Sequence, residues 1–282
     1  MIEQSLPVQL NTTLSHVPDY VIFSDLEQEF HGHHVLDALA DVKDEIKRSN
    51  NDFQYYNRLQ ENGLASFTEE EKAEWPAHES GNSGNMANPG WRLDKWKFLP
   101  MVTKALEMRP DAKWFYFIEA DTYAVWPNLV RWLATFDASK RNYIGNRFRV
   151  GDTKFAYGGT GIAISAPAMR KAAELRAEHL ETYDELTANQ WAGDAILGML
   201  MEDAGIKLKS DRAVFGLKGP SGLDYAIEEE RGLLCGFNPV SFHHMSPAEI
   251  SETWETEQDL LHEVRENSRH KLGLSNIVCS EY

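Results

Sequence analysis

The chain has little cysteine, no long apolar run and a shortage of positive charge. Two cysteines, Cys235 and Cys279, occur in 282 residues. They form no CxxC pair and can make at most one disulfide, which excludes a small disulfide-stapled scaffold and leaves the redox compartment open. No apolar stretch reaches the roughly 18 residues of a membrane span, and Met1 to Leu10 lacks the basic and apolar regions of a signal peptide. Lys and Arg number 28 against 44 Asp and Glu, a formal net charge of -16. That balance argues against a nucleic-acid or anionic-membrane surface, because phosphate backbones demand cationic patches. The patterns GxxxxGK(S/T), HExxH and GxSxG are absent, so phosphate-loop, zincin and α/β-hydrolase readings lack their key residues.

What is present is an ordinary globular composition, 42% hydrophobic, 26% charged and 11% aromatic. At about 150 residues per domain the length suggests two domains, but α/β sheets of this size often form one, and residues 1–282 are read as one. An anionic ligand on so acidic a chain must be held locally, and a metal ion is the direct way to place positive charge there.

The pattern alternates strand and helix. Asp19 to Ser24 reads as a strand, and Val35 to Arg48 as a helix on the spacing of Val35, Leu36, Leu39, Val42 and Ile46. Residues 62–90 break periodicity, with the Glu69-Glu70-Glu71-Lys72 run and a Gly/Ser/Asn stretch, and are read as a mobile loop. Arg92 to Met108 reads as a helix kinked at Pro100. Trp114-Phe115-Tyr116-Phe117-Ile118 is continuously apolar, as expected of a central strand covered on both faces. Trp126 to Phe136 is helical, Tyr143 to Gly145 and Ile162 to Ser165 are short strands, and helices follow from Pro167 and Asp194. Ser246-Pro247-Ala248-Glu249 is a capping box opening a helix to about residue 265. Such alternation implies a mainly parallel α/β sheet.

Ligands of open α/β sheets bind beyond the carboxyl ends of the strands. Glu119 and Asp121 stand there, and i, i+2 spacing on extended backbone points both side chains one way. Such hard oxygens suit Mg or Mn ions that bridge phosphates. The run His31-Gly32-His33-His34 lacks acids or cysteines at ligand spacing and is set aside as a metal site.

Trp114 to Tyr123, followed by Asn128 to Leu133, resembles the acidic motif and following helix of glycosyltransferase family 31, which includes the Fringe enzymes and core-1 β-1,3-galactosyltransferases. Family members commonly carry three consecutive aspartates where this chain has Glu119-Ala120-Asp121, so Asp121 is the matched carboxylate. Further segments agree in order: Ile144 to Phe148, then Tyr157-Gly158-Gly159-Thr160-Gly161 running to Ser165, then Gly193-Asp194-Ala195-Ile196-Leu197-Gly198, then Val240 to His244. The wording is similar to the fungal branch.

The resemblance implies a GT-A-like mixed, mainly parallel sheet flanked by helices. It also implies inverting, Mn- or Mg-dependent transfer of a hexose or N-acetylhexosamine from a UDP-sugar to a glycan or glycoprotein. By the same resemblance Asp121 and His243 ligate the metal, with His244 as the immediate rival of His243, and Glu119 binds through water or reaches the ribose. Asp194 is the general base, although an Asp at a helix start is also an ordinary cap. Lys95 and Arg147 contact the diphosphate or sugar, Gly158 and Gly159 let backbone approach the sugar, and Trp191 stacks on an acceptor. Family members are usually type II Golgi membrane proteins, and the family's first strand has no counterpart in residues 1–10, so the chain is expected to lack that strand and the anchor. Two other readings fit the departures from the motifs: a carbohydrate- or nucleotide-binding protein without catalysis, and a metal-dependent sugar hydrolase.

Overall fold

In the computed structural model, which describes residues 2–73, 89–223, 228–229, 232–233 and 237–266, the elements run as follows. Helix α1 (Ile2–Asn11) precedes β1 (Ile22–Ser24), β2 (Gln28–Phe30) and β3 (His33–Asp37). Five helices follow: α2 (Asp44–Ser49), α3 (Gln54–Asn62), α4 (Glu69–Ala73), α5 (Pro89–Asp94) and α6 (Phe98–Met108). Then come β4 (Trp114–Phe117), β5 (Tyr123–Ala124), α7 (Trp126–Leu133), β6 (Tyr143–Gly145), β7 (Arg147–Val150), β8 (Thr153–Ala156) and β9 (Ile162–Ser165). The chain continues through α8 (Ala166–Glu178), α9 (Leu180–Asn189), α10 (Gly193–Asp203), β10 (Leu208–Ser210), β11 (Phe215–Gly216), β12 (Glu228–Glu229), β13 (Gly232–Leu233), β14 (Ser241–Phe242) and α11 (Pro247–Glu266).

The main sheet has the order β10-β6-β9-β4. Its inner strand β9 places Ile162, Ala163 and Ile164 at 0% exposure, with Ile162 and Ile164 packed beneath Leu99 and Val102 of α6, Met169 of α8 and Ile196 and Leu200 of α10. A second sheet, β11-β14-β5, is stitched from strands far apart in sequence: β14 lies antiparallel to β5 and parallel to β11. The mixed α/β sheet flanked by helices agrees with a GT-A-like fold. Its balance differs from the expectation: three described pairings are parallel and six antiparallel. The reversal arises because β9 returns from the β7-β8 hairpin and runs opposite to both β6 and β4.

Several local readings are corrected. The aromatic run 114–117 forms the edge strand β4, not the centre. It is apolar throughout because Phe115 and Phe117 face the main core while Tyr116 faces a second cluster with Leu129, Phe215 and Val240. Residues 33–37 are a strand: pairing of Val35 and Leu36 with Ile22 and Phe23 overrides the helical spacing, and helix begins only at Asp44. The 92–108 helix is broken at Lys95–Lys97, so Pro100 falls in the first turn of α6, where its missing N–H costs nothing and no kink is needed. Glu69–Ala73 is helical because Thr68 and Glu71 form a reciprocal cap, Thr68 Oγ1 accepting from Glu71 N–H at 3.2 Å and Glu71 Oε2 from Thr68 N–H at 2.9 Å. The Gly/Ser/Asn stretch and both cysteines lie outside the described residues. Residues 2–11 form a helix.

At the other end of the chain the capping box is present: Ser246 Oγ accepts from Glu249 N–H at 3.3 Å while Glu249 Oε2 accepts from Ser246 N–H at 2.8 Å. Replacing Ser246 by Ala should cost about 1 kcal/mol of stability in urea unfolding, the usual loss for an N-cap hydroxyl.

Candidate active site

Beyond β4 the chain does not stay extended. It turns through Glu119–Thr122, Thr122 N–H donating to Glu119 O at 3.1 Å and Glu119 N–H to Thr122 Oγ1 at 3.2 Å. Glu119 and Asp121 therefore converge by a turn and not by strand alternation. Thr122 Oγ1 also donates to Gly159 O at 2.7 Å, tying this turn to the Gly158–Thr160 turn that precedes β9.

Strand β14 delivers the histidines. His243 N–H donates to Gly216 O at 3.1 Å, and Met245 N–H to Asp121 O at 3.1 Å, so the segment after β14 lies against the acidic turn. His243 Nε2 stands 3.4 Å from Asp121 Oδ1 and 3.9 Å from Glu119 Oε2; His244 Nδ1 is 3.8 Å from Asp121 Oδ2. His244 has φ of +56°, the left-handed conformation that non-glycine residues adopt at an energetic cost, and this brings its ring to 3.8 Å from that of His243. The sequence left the choice of histidine open; both rings reach Asp121.

The glycine pair explains how an imidazole fits so deep. A Cβ on Gly159 would fall 2.1 Å from His243 Cε1 and 2.2 Å from its Nε2, and one on Gly158 would fall 2.9 Å from Glu119 Oε1. The glycines thus admit the site's own side chains. His243 is 2% exposed, and Tyr157, stacked on Phe148 at 4.4 Å, meets its ring edge-on at 5.3 Å.

Bonded to Gly158 is Asp194, 8% exposed at the start of α10. Its Oδ2 accepts from Gly158 N–H at 3.0 Å and its Oδ1 from Ala195 N–H at 2.8 Å. Burial pushes its pKa up to about 6 in spite of those two donors. Glu119 opens onto a recess with its side chain 47% exposed, yet desolvation by the surrounding protein and then the charges of Asp94, Asp121 and Asp194 hold it well above the usual carboxylate range. Burial acts the same way on Asp121, but the hydrogen bond and charge of His243, and the charge of His244, outweigh it and leave Asp121 below its ordinary value. His244 is shifted down by burial and by His243.

Asp121, His243 and His244 offer ligand atoms that all lie within 4.8 Å of one another. Ligands of one small divalent ion stand about 2.0–2.2 Å from it and hence roughly 3–3.5 Å apart. The 3.4 Å between His243 and Asp121 falls in that range, and the 3.8 Å between His244 and Asp121 is wider by a few tenths of an ångström, so an ion would draw the His244 ring in. His243 Nδ1 is buried without a hydrogen-bond partner among the described residues. A carboxylate with two imidazoles is a donor set for a first-row divalent metal, so the residues present fit one.

Residues 56–215 match the family model described as Fringe-like. The chain belongs to the Fringe-like family. Its members are glycosyltransferases that generally work in the Golgi and secretory pathway. No curated protein compared with the chain matches it. Within the matched residues lie Glu119, Asp121, Gly158, Gly159 and Asp194; the histidines lie beyond them, and pairing of β14 with β5 and β11 brings them in.

The remaining Fringe-like candidates are placed differently. Lys95 Nζ lies 3.0 Å from Asp52 Oδ2 and donates to Gln190 O at 3.0 Å and Ala188 O at 3.3 Å, so its three hydrogens hold the α9–α10 connection. The lysine that bears on the acidic turn is Lys97, which pairs with Asp25 at 2.6 Å and Asp94 at 3.5 Å and whose charge acts on Glu119. Sequence reasoning missed it because two lysines two residues apart are told apart only by where the turn at 95–97 breaks the helix. Arg147 is exposed at the start of β7, and Trp191 is 41% exposed, stacked on Trp91 at 5.9 Å.

Gly159→Ala should destabilise the protein by about 1–3 kcal/mol, as overpacking does, and weaken divalent-ion binding by displacing His243. Urea unfolding and a Mn²⁺ titration check this. Gly219→Ala, whose Cβ would meet nothing nearer than 3.6 Å, is the control expected to change neither.

Proposed function

We propose that this chain is an inverting, metal-dependent glycosyltransferase that moves a hexose or N-acetylhexosamine from a UDP-sugar to a glycan or glycoprotein, with β-1,3 linkage as in the family it resembles. The observation that carries the reading is the meeting of Asp121, His243 and His244 where His243 packs on Gly159, while Asp194 accepts from the N–H of the adjoining Gly158.

Asp121 with His243 and His244 would hold Mn²⁺ or Mg²⁺, with Glu119 close enough to act through water or on the ribose. Such an ion supplies neutralisation of charge on a diphosphate leaving group. Asp194 receives the proton of the acceptor hydroxyl as its oxygen bonds to the anomeric carbon and the bond from that carbon to the diphosphate breaks. A carboxylate has about four lone-pair sites, so two backbone donors leave it able to accept one more proton. A pKa of about 6 keeps it ionised at neutral pH yet basic enough to act. Trp191 on Trp91 offers an exposed aromatic face for an acceptor sugar, three residues from Asp194. The Golgi or secretory pathway is the location that suits these substrates. Among the described residues no helix is long and apolar enough to cross a membrane.

One feature favours the binding-protein alternative: the two N–H bonds of Asp194 are also what a plain helix cap makes. Substitution separates the two roles. Asp194→Asn should leave Mn²⁺-dependent UDP affinity unchanged in calorimetry and slow transfer by about 10²-fold or more; normal transfer by the variant would reduce Asp194 to a cap. In the unsubstituted protein kcat/KM should rise as pH increases through about 6, where Asp194 loses its proton, and level off above. Asp121→Asn should abolish Mn²⁺-dependent UDP binding; unchanged affinity in the same titration removes it from the metal site.

A further inference from the structure

We infer that Gln9, on the first helix, is a positioning residue for Asp121. This rests on the metal reading above. Gln9 is 4% exposed, and its Nε2 donates to two backbone carbonyls that bracket Asp121, Ala120 O at 2.9 Å and Thr122 O at 2.9 Å. Both neighbours are acceptors, so only the NH₂ end of the amide can face them, which fixes its orientation. The other end, Oε1, is buried without a hydrogen-bond partner among the described residues. A residue serving only to fill this space would do better as Leu, with no stranded acceptor; the amide is justified by its two bonds.

The clamp acts at a place the turn itself leaves loose. Within the turn the Asp121–Thr122 peptide is held at both ends, Asp121 O accepting from Met245 and Thr122 N–H donating to Glu119 O, whereas the carbonyls of the Ala120–Asp121 and Thr122–Tyr123 peptides are held from outside by Gln9. The Ala120–Asp121 plane leads directly into the backbone that aims the Asp121 carboxylate, and the Thr122–Tyr123 plane fixes where the turn leaves for β5. The helix is braced in turn: Val8 packs with Tyr123, Phe242 and Met245, and Tyr123 donates its hydroxyl proton to Glu257 of α11. Gln9 and Glu257 both lie outside the residues that carry the family match, so the catalytic turn is held by segments the family pattern does not include.

The test uses the full chain with MnCl₂ alone, no nucleotide, and compares Gln9→Glu and Gln9→Leu with Val8→Ala. The glutamate keeps the shape but turns a carboxylate toward two carbonyls; Val8→Ala removes packing of the same helix against Tyr123, Phe242 and Met245 while leaving both Gln9 hydrogen bonds in place. We expect both Gln9 variants to bind Mn²⁺ about 10-fold or more weakly, the loss of one or two hydrogen bonds, and Val8→Ala to lower the melting temperature while keeping Mn²⁺ affinity. Unchanged Mn²⁺ affinity in the Gln9 variants overturns the proposal, and so does a loss in Val8→Ala that matches theirs, since that would be general destabilisation. Should the unsubstituted protein bind no Mn²⁺, the metal reading fails and amide hydrogen exchange of residues 119–122 decides the clamp separately. Faster exchange there in Gln9→Glu and Gln9→Leu than in Val8→Ala supports it, and equal exchange overturns it.

Discussion

The contact between the His243 ring and the backbone of Gly159 is the constraint on which the site depends. An imidazole 2% exposed can sit across a turn only where no side chain stands in its way, and the space a Cβ would take at Gly159 is already filled by Cε1 and Nε2 of that ring. Around that contact three stretches of chain are locked at fixed distances. The acidic turn is bonded to Gly159 through Thr122, the histidine segment to the acidic turn through Met245, and α10 to Gly158 through Asp194. None of these ties is strong alone, at about 1 kcal/mol net for an ordinary hydrogen bond. Their effect is geometric: each removes freedom from a carboxylate or imidazole that would otherwise sample several rotamers, which is how a site is preorganised.

Charge then follows from placement. Glu119, Asp121 and Asp194 are drawn together in a protein that is acidic overall, and Asp94 adds to the field on both Glu119 and Asp194. Of the lysines nearby only Lys97 relieves this, and it does so on Glu119 as the smallest contribution. Lys97 loses hydration on burial but is held protonated, above its ordinary pKa, by Asp25 and Asp94, and Lys95 is engaged by Asp52 and two carbonyls. An anionic diphosphate arriving here would meet net negative charge unless a cation came with it. This is the electrostatic reason for preferring a metal-dependent reading to one based on basic side chains.

How far the site was legible in the sequence depended on whether a residue's role was local. The Ser246-Glu249 cap, the β9 and α10 boundaries and the carboxylates after β4 are set by neighbours within a few positions, and they stand where the pattern put them. Residues 33–37 failed because helix spacing lost to pairing with Ile22 and Phe23, a partner that periodicity does not see. The lysines depend on a similar non-local feature: the break at 95–97 sets Lys95 against Asp52 and leaves Lys97 as the lysine whose charge acts on Glu119. The glycines were read as places where backbone meets the sugar; what the fold itself brings against them is His243, Glu119 and Phe98.

The histidines show what a linear motif leaves out. His243 follows Asp121 by more than a hundred residues and lies past the end of the family match, yet its position is not free. Strand β14 has β5 on one side and β11 on the other, in the registers Phe242 to Tyr123 and Phe242 to Gly216. Because β5 begins one residue after Thr122, any chain that completes this small sheet must emerge beside the acidic turn. The residue at that exit meets Asp121 whatever its identity; a histidine there is the choice that adds a metal-binding nitrogen in place of another charge. The left-handed backbone at His244 then folds a second ring onto the first, and a conformation that costs energy persists where the surrounding structure determines it from several sides.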